Sequence, residues 1–234
     1  METNKVKHIG VIMDGNRRWA NKNRLDSVLM GHEKGVRKLM ELCDWCLERE
    51  IPYLSVYAFS TENWNRNSWE IDGLFRLMEK FFHEEVKNCI EKGIYIKAVG
   101  DHSMLKEKQQ MIIANAQQDT MQCSNLTLQI ALSYGGRNEI KRAMQKIVKA
   151  AEENKIQADD ITESVIEKYL DTADIPMIDM VIRTGGNHRL SNFFPWQSAY
   201  AELYFTDTLW PEFSRKEFMD FLDNFENIII NHGA

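Results

Sequence analysis

The stretch HIGVIMDGNRRWA, His8 to Ala20, runs a mostly apolar segment straight into a carboxylate, a glycine, an amide, two guanidinium groups and an indole. From His8 to Met13 the apolar residues do not alternate with polar ones. That pattern predicts a strand buried on both faces. Strands of that kind belong to a parallel sheet between layers of helices, and in open sheets ligands bind beyond the carboxyl ends of the strands. The chemistry of this chain is therefore expected just after its apolar runs.

Working outward, further strands are predicted at Tyr53–Phe59, Ile94–Val99, Leu126–Leu132, Ile178–Arg183 and Leu203–Phe205. Helices are predicted between them at Glu33–Glu50, Trp69–Glu91, Ser103–Thr120, Arg137–Glu153, Ile161–Leu170 and Arg215–Ile230. The second shows Ile71, Leu74, Phe75, Met78, Phe82 and Cys89 at helical spacing, and the last shows Phe218, Phe221, Leu222, Phe225 and Ile229. No repeat, low-complexity segment or long linker interrupts the alternation. The expected architecture is one α/β domain over residues 1–234, with a mostly parallel six-stranded sheet flanked by helices.

With 234 residues and 44% hydrophobic content, the chain can bury a core of that kind. A net charge of −6 argues against a nucleic-acid partner and leaves local basic clusters to meet a compact anion. Cys43 and Cys46 share one helical face with Val36, Leu39, Met40 and Leu47, and no second pair completes a metal site. They are expected to be core thiols in a reducing, cytoplasmic protein. No signal-peptide pattern and no membrane-spanning apolar run is present in the sequence.

Three loops meet the demand set by the strands: Asp14–Trp19, Phe59–Asn67 (FSTENWNRN) and Arg183–Asn192 (RTGGNHRLSN). Each combines glycine or small hydroxyl residues with arginine. Backbone N–H groups, a helix start and guanidinium groups together favour phosphate. Asp14, an acid among cations, is most useful as a ligand for Mg²⁺ bridging to phosphate oxygens. Any one loop is equally compatible with ordinary turn chemistry, and three at equivalent sheet ends are not. Neither G-x-x-x-x-G-K-[ST] nor G-x-G-x-x-G occurs. A haloacid-dehalogenase-type phosphatase is disfavoured too, because Ile12 stands where its nucleophilic aspartate belongs.

Taken together with YAFSTENWNR, LSYGGRNEI, VIRTGGNHRLSNFFPWQSAYAELYF and WPEF, these loops resemble the cis-prenyltransferases, the undecaprenyl diphosphate synthase family, over almost the whole chain. The resemblance implies a hydrophobic tunnel for the growing isoprenoid and a homodimer. It implies Mg²⁺-dependent condensation of isopentenyl diphosphate with an allylic diphosphate, farnesyl diphosphate being the expected primer, to a long-chain polyprenyl diphosphate such as undecaprenyl diphosphate. It assigns Asp14 to the metal and Gly15, Asn16, Arg17, Arg18 and His32 to the allylic diphosphate, with Trp19 beside the hydrocarbon. Ser60, Thr61, Glu62, Trp64 and Arg66 would line the site, and Asn63 would help remove the proton. Arg183, Arg189, Leu190 and Ser191 would bind isopentenyl diphosphate. Glu202 would be a second acid near the metal, across the dimer. Contact with a membrane would be peripheral, through the product.

Several positions depart from the family pattern: Val28 and Asn187 replace charged residues, Asn67 replaces a proline, Phe194-Pro195 replaces Leu-Leu, and Asn231-His232-Gly233 replaces an Arg-x-Gly tail. Two alternatives follow. One is a synthase of short or irregular, lavandulyl-type products. The other is a subunit of a heteromeric cis-prenyltransferase, against which the intact Asp14-Gly15-Asn16 loop argues.

Overall fold

The structure, a computed structural model, describes residues 5–227. The expected strands appear as β1 (His8–Ile12), β2 (Tyr53–Ser60), β3 (Ile94–Val99), β4 (Leu126–Tyr134), β5 (Met180–Arg183) and β6 (Glu202–Phe205). They form one sheet in the order β3-β4-β2-β1-β5-β6, and every neighbouring pair is parallel. The helices are α1 (Asn16–Lys22), α2 (Val28–Glu48), α3 (Ser68–Lys92), α4 (Glu107–Thr120), α5 (Gly136–Glu152), α6 (Glu163–Tyr169) and α7 (Arg215–Glu226).

Differences from the expected boundaries have local causes. The turn after β1 forms a short helix of its own, α1, which ends before Ser27 caps α2 through a hydrogen bond from Leu29 N. That cap starts α2 at Val28, five residues before the expected Glu33, because Ser27 offers its hydroxyl where the apolar periodicity has not yet begun. The segment before α4 is a separate 3₁₀ turn at His102–Met104, held by Asp101, so the helix itself starts at Glu107. Expected residues Ile229 and Ile230 of the last helix lie outside the described residues, as does Asn231.

Alternation along the strands separates two interiors. Ile9, Val11, Leu54, Val56, Leu128 and Ile130 belong to one apolar cluster, with Leu39, Phe75, Phe82 and Trp210. The opposite face carries Ile12, Val181, Phe193 and Phe194. It also carries polar groups: His8 Nε2 lies 2.7 Å from Ser55 Oγ, and Ser55 donates to Gln129 Oε1 at 2.6 Å. Cys43, Cys46 and Cys89 are buried free thiols in the first cluster, as a core role predicts.

Chain order places the switch point at β1, which is followed by β2 on one side and flanked by β5 on the other. In this class of sheet the ligand crevice opens there. The register sets Ile12 beside Arg183, so both loops leave the sheet at the same level. Near this end β2 and β4 slip past each other, with register shifts at Tyr57/Phe59 and Phe59/Ser60. Bulges of this type re-aim side chains next to sites.

Candidate active site

Asp14 stands one residue beyond the apolar run, at the mouth of the β1–β5 crevice. Its Oδ2 accepts from Arg183 Nη2 at 3.0 Å and from Asn187 Nδ2 at 2.9 Å, and its Oδ1 accepts from Arg18 Nη2 at 3.1 Å. Burial pushes its pKa up, but the bonds from Asn187 and Arg183 and the charge of Arg18 outweigh this and hold it below the ordinary carboxylate value. Asp14 is therefore ionised at neutral pH. Its main chain is pinned as well, since the carbonyl accepts from Thr184 Oγ1 at 2.8 Å and Trp210 N at 3.0 Å.

Asn187 gains a physical role from this arrangement. The family pattern expects an acid there, which would set a second carboxylate against Asp14. The amide donates to Asp14 instead.

Gly15 turns the chain from β1 into α1 with φ at +115°, and a Cβ there would lie 3.0 Å from Leu209 Cα. Asn16 then seats against α2. A Cβ on Gly31 would meet Asn16 O at 2.2 Å and one on Gly35 would meet Asn16 Oδ1 at 2.4 Å, so two glycines one helical turn apart admit the loop. This brings His32, on the same turn of α2, to the cavity wall. Burial, with the charges of Arg66 and Arg17, lowers the His32 pKa to about 4, so its imidazole is neutral.

The second loop forms a 3₁₀ turn over Thr61–Asn65. Asn63 Oδ1 accepts from Ser60 N at 3.0 Å. A backbone N–H can only donate, which fixes the amide with its NH₂ outward. Asn63 therefore presents a donor, not a base. Glu62 accepts from Asn192 Nδ2 at 3.2 Å, linking the second and third loops. Arg66 reaches Glu70 at 2.9 Å.

In the third loop Arg183 is 5% exposed, and its Nη1 donates to Ser191 Oγ at 2.7 Å and Arg189 O at 2.5 Å. It shapes the loop and holds Asp14 at once. Ser191, Asn192 and Phe194 adopt left-handed backbone with φ of 50°, 66° and 45°. Strain of this kind in non-glycine residues persists where surrounding contacts over-determine it. Here Asn192 O accepts from Gly136 N at 2.8 Å and Asn192 Oδ1 accepts from Arg137 N at 2.9 Å. Phe194 is fully buried and packs 4.4 Å from Tyr134, so the first residue of the Phe-Pro departure fills the core while Pro195 borders the cavity.

A cavity of about 920 Å³ joins these groups. Asp14, Asn16, His32, Ser60, Glu62, Asn63, Arg66, Arg183 and Ser191 border its polar end. Leu39, Leu74, Phe75, Met78, Phe81 and Phe82 border the rest, between α2, α3 and the sheet. Asn16 Oδ1, His32 Nε2 and Arg183 Nε, all on cavity residues, are buried without a hydrogen-bond partner. At the polar end of a cavity, unpaired buried atoms of this sort are available to a polar ligand.

Other expected site residues fall elsewhere. Trp64 is behind the wall: it stacks on Phe75 at 5.3 Å, meets Phe59 edge-on at 5.1 Å, and donates to Ser133 Oγ at 3.0 Å. Trp19, half-buried on α1, Arg17 and Arg18 on its exposed side, Thr61, Arg189 and Leu190 are outside the cavity lining. Glu202 pairs with Met180 at the amino end of β6, level with Ile9, so within one chain it sits toward the opposite end of the strands from Asp14. Val28 is a half-buried helix-start residue, and Asn67 has φ of −60°, which a proline would also adopt.

The donors suit Mg²⁺. Asp14 is a hard, ionised oxygen ligand whose Oδ1 takes a single hydrogen bond, which leaves acceptor capacity on the cavity side. Mg²⁺ is commonly held by one or two carboxylates plus substrate phosphates, and among the described residues no group of three or more potential ligands forms a cage.

The family model for undecaprenyl diphosphate synthase matches residues 12–232. The chain belongs to the undecaprenyl diphosphate synthase family. It is 41% identical over 225 residues to an isoprenyl transferase of Wolinella succinogenes, covering 96% of this chain and 95% of that one. It is 41% identical over 217 residues to the ditrans,polycis-undecaprenyl-diphosphate synthase, (2E,6E)-farnesyl-diphosphate specific, of Acinetobacter baylyi, covering 93% and 87%. Among solved structures, lavandulyl diphosphate synthase from Lavandula x intermedia in complex with dimethylallyl diphosphate superposes with a TM-score of 0.94 at 33% identity, covering 98% and 99%. A probable undecaprenyl diphosphate synthase from Campylobacter jejuni gives 0.82 at 34%, covering 99% and 100%. As a member of this family of prenyltransferases the chain has the expected parallel sheet, and its cavity lies where that fold opens.

Proposed function

We propose that this protein condenses isopentenyl diphosphate with an allylic diphosphate, farnesyl diphosphate as primer, to a long-chain cis-polyprenyl diphosphate. The observation that carries the reading is a single cavity with an arginine- and carboxylate-bearing end and a long apolar remainder. An allylic diphosphate has that same division. The apolar part, walled by α2 and α3, serves as the tunnel for the growing chain.

In the reaction, the carbon–oxygen bond to the allylic diphosphate breaks and the terminal alkene carbon of isopentenyl diphosphate bonds to the freed allylic carbon. A proton then leaves the neighbouring methylene. Mg²⁺ held by Asp14 would supply charge neutralisation on the leaving oxygens. Arg18 and Arg66 add fixed positive charge, and neutral His32 offers Nε2–H to a phosphate oxygen. Arg183, Arg189 and Ser191 take the second diphosphate, which places the nucleophilic alkene over the allylic carbon. Asn63 donates and orients. The proton therefore goes to a diphosphate oxygen, the strongest base at this end of the cavity.

A homodimer completes the site, with Glu202 delivered from a second copy, since its own chain holds it at the amino end of β6. No helix among the described residues is long and apolar enough to cross a membrane, and a long product is handed to the bilayer by peripheral contact.

The higher superposition on the lavandulyl synthase favours one second reading, coupling of short allylic units to an irregular product. One experiment separates the two. The purified protein is given Mg²⁺ and isopentenyl diphosphate with either farnesyl or dimethylallyl diphosphate, and products are resolved by length and linkage. Polymer from farnesyl diphosphate supports the first reading. Branched ten-carbon product from dimethylallyl diphosphate alone supports the second, and no turnover with either primer sinks both.

A further inference from the structure

Glu70 has no part in the chemistry above. It stands in the first turn of α3, where an acid ordinarily faces water and the helix dipole, yet it is 2% exposed. Its Oε1 accepts from Arg66 Nη1 at 2.9 Å, and its Oε2 lies 3.5 Å from Arg17 Nη1. Arg17 comes from α1, which follows β1, and Arg66 from the end of the 3₁₀ turn after β2, so one buried carboxylate ties the two segments together. His32 feels the charges of Arg66, Glu70 and Arg17, which makes the four residues one electrostatic cluster beside the cavity. A buried carboxylate is retained only with good partners. Its partners here are Arg17, which the family resemblance assigns to the allylic diphosphate, and Arg66, which borders the polar end of the cavity.

Arginine side chains lose rotamer freedom when they grip a phosphate, and a carboxylate that already fixes them removes part of that loss. Glu70 also offsets the repulsion between the two guanidinium groups. The helix that carries it continues directly into the apolar wall at Leu74, Phe75 and Met78.

We propose that Glu70 is a positioning residue that holds Arg17 and Arg66 for the allylic diphosphate and thereby sets α3, the hydrocarbon wall, against the phosphate end. This rests on the reading that those arginines meet the allylic substrate. The test compares the full-length wild type with Glu70→Gln and Glu70→Asp. Calorimetry measures binding of inorganic diphosphate and of farnesyl diphosphate, each with Mg²⁺, and steady-state kinetics gives KM for both substrates.

Glu70→Gln is expected to weaken both diphosphates on the order of tenfold, with KM for isopentenyl diphosphate changed less than twofold. Glu70→Asp, which keeps the charge on a shorter arm, is expected to recover part of the loss. Unchanged diphosphate affinity in Glu70→Gln overturns the proposal, as does an equal rise in both KM values. If Glu70→Gln does not fold, Glu70→Asp decides: an effect confined to the allylic side supports the proposal and unchanged affinity overturns it. A wild type that binds neither diphosphate overturns the functional reading, and the role of Glu70 with it.

Discussion

The two faces of the sheet are built from the same strands and meet opposite fates. On one face, Leu54, Val56, Leu128 and Ile130 look toward α2 and α3, and the space between is a cavity. On the other, His8, Ser55 and Gln129 form a hydrogen-bonded row, and Phe193 and Phe194 are fully buried. On the filled face Ser55 bridges His8 and Gln129 across strands, and only Gln129 Nε2 in that row is left without a partner. Near the cavity, Asn16, His32 and Arg183 each keep a buried polar atom unpaired. The filled face is closed by buried rings, whereas the other borders a cavity of about 920 Å³ with charged groups at one end, a shape complementary to something outside the chain.

Asp14→Ala tests this contrast with the largest effect. Turnover should fall roughly 1,000-fold, about 4 kcal/mol of transition-state stabilisation, while the melting temperature stays near that of the wild type. A collapse of folding instead would place Asp14 with the scaffold.

On the filled face, Phe193→Ala removes a ring with 0% exposure, stacked 4.9 Å from Tyr57. It should cost about 3 kcal/mol or more in denaturant unfolding, and specific activity per folded molecule should persist.

The pH dependence sharpens the comparison next. Burial, opposed by the hydrogen bond to Pro176 and the charge of Asp179, lowers the His8 pKa from 6.5 to about 4. A histidine with a depressed folded pKa favours the folded state above its unfolded pKa, and that contribution is lost as pH falls from 6.5 toward 4. The gap corresponds to about 3 kcal/mol. Stability measured across that range should decline in the wild type, and His8→Asn should flatten the His8 part. His32 is depressed to about 4 as well, but it faces the cavity. Diphosphate binding should therefore raise its pKa and leave that of His8 unmoved, as imidazole proton resonances can show.

The smallest effect belongs to the cavity wall. Phe81→Ala opens a side chain that already borders empty space, so its cost should be about 2 kcal/mol, below that of Phe193→Ala. Products should shift toward longer chains. An unchanged product distribution would detach Phe81 from the hydrocarbon path.

The sheet was legible in the sequence because its strands are apolar on both faces, a local signal that length and spacing preserve. The three loops were legible for the same reason, since the chemistry follows each apolar run. Helix starts were less so: Ser27 caps α2 ahead of its first apolar contact, and α1 is too short to show a period. Within the site, residue types were readable while their geometry was not. Asn63 is marked by its motif, but only the bond from Ser60 N shows which end of the amide is left for the cavity. Trp64 looks like a wall residue until Phe59 and Phe75 are seen to stand in front of it. Glu70 gives no signal, because an acid in the first turn of a helix is ordinary and its two partners come from separate segments.

By itself, then, the sequence determined the six strands and the helices α2 to α7, that the strands run buried and parallel, and that HIGVIMDGNRRWA carries a carboxylate set among cations. Those properties rest on hydrophobic period and residue type, which are carried by neighbours along the chain. Only the tertiary structure decided that Asn187 donates to Asp14, that Glu202 stands toward the opposite end of the strands from Asp14, and that one face is packed while the other borders a cavity. These depend on contacts between residues far apart in sequence, where sub-ångström distances select hydrogen-bond partners and no local pattern records the outcome.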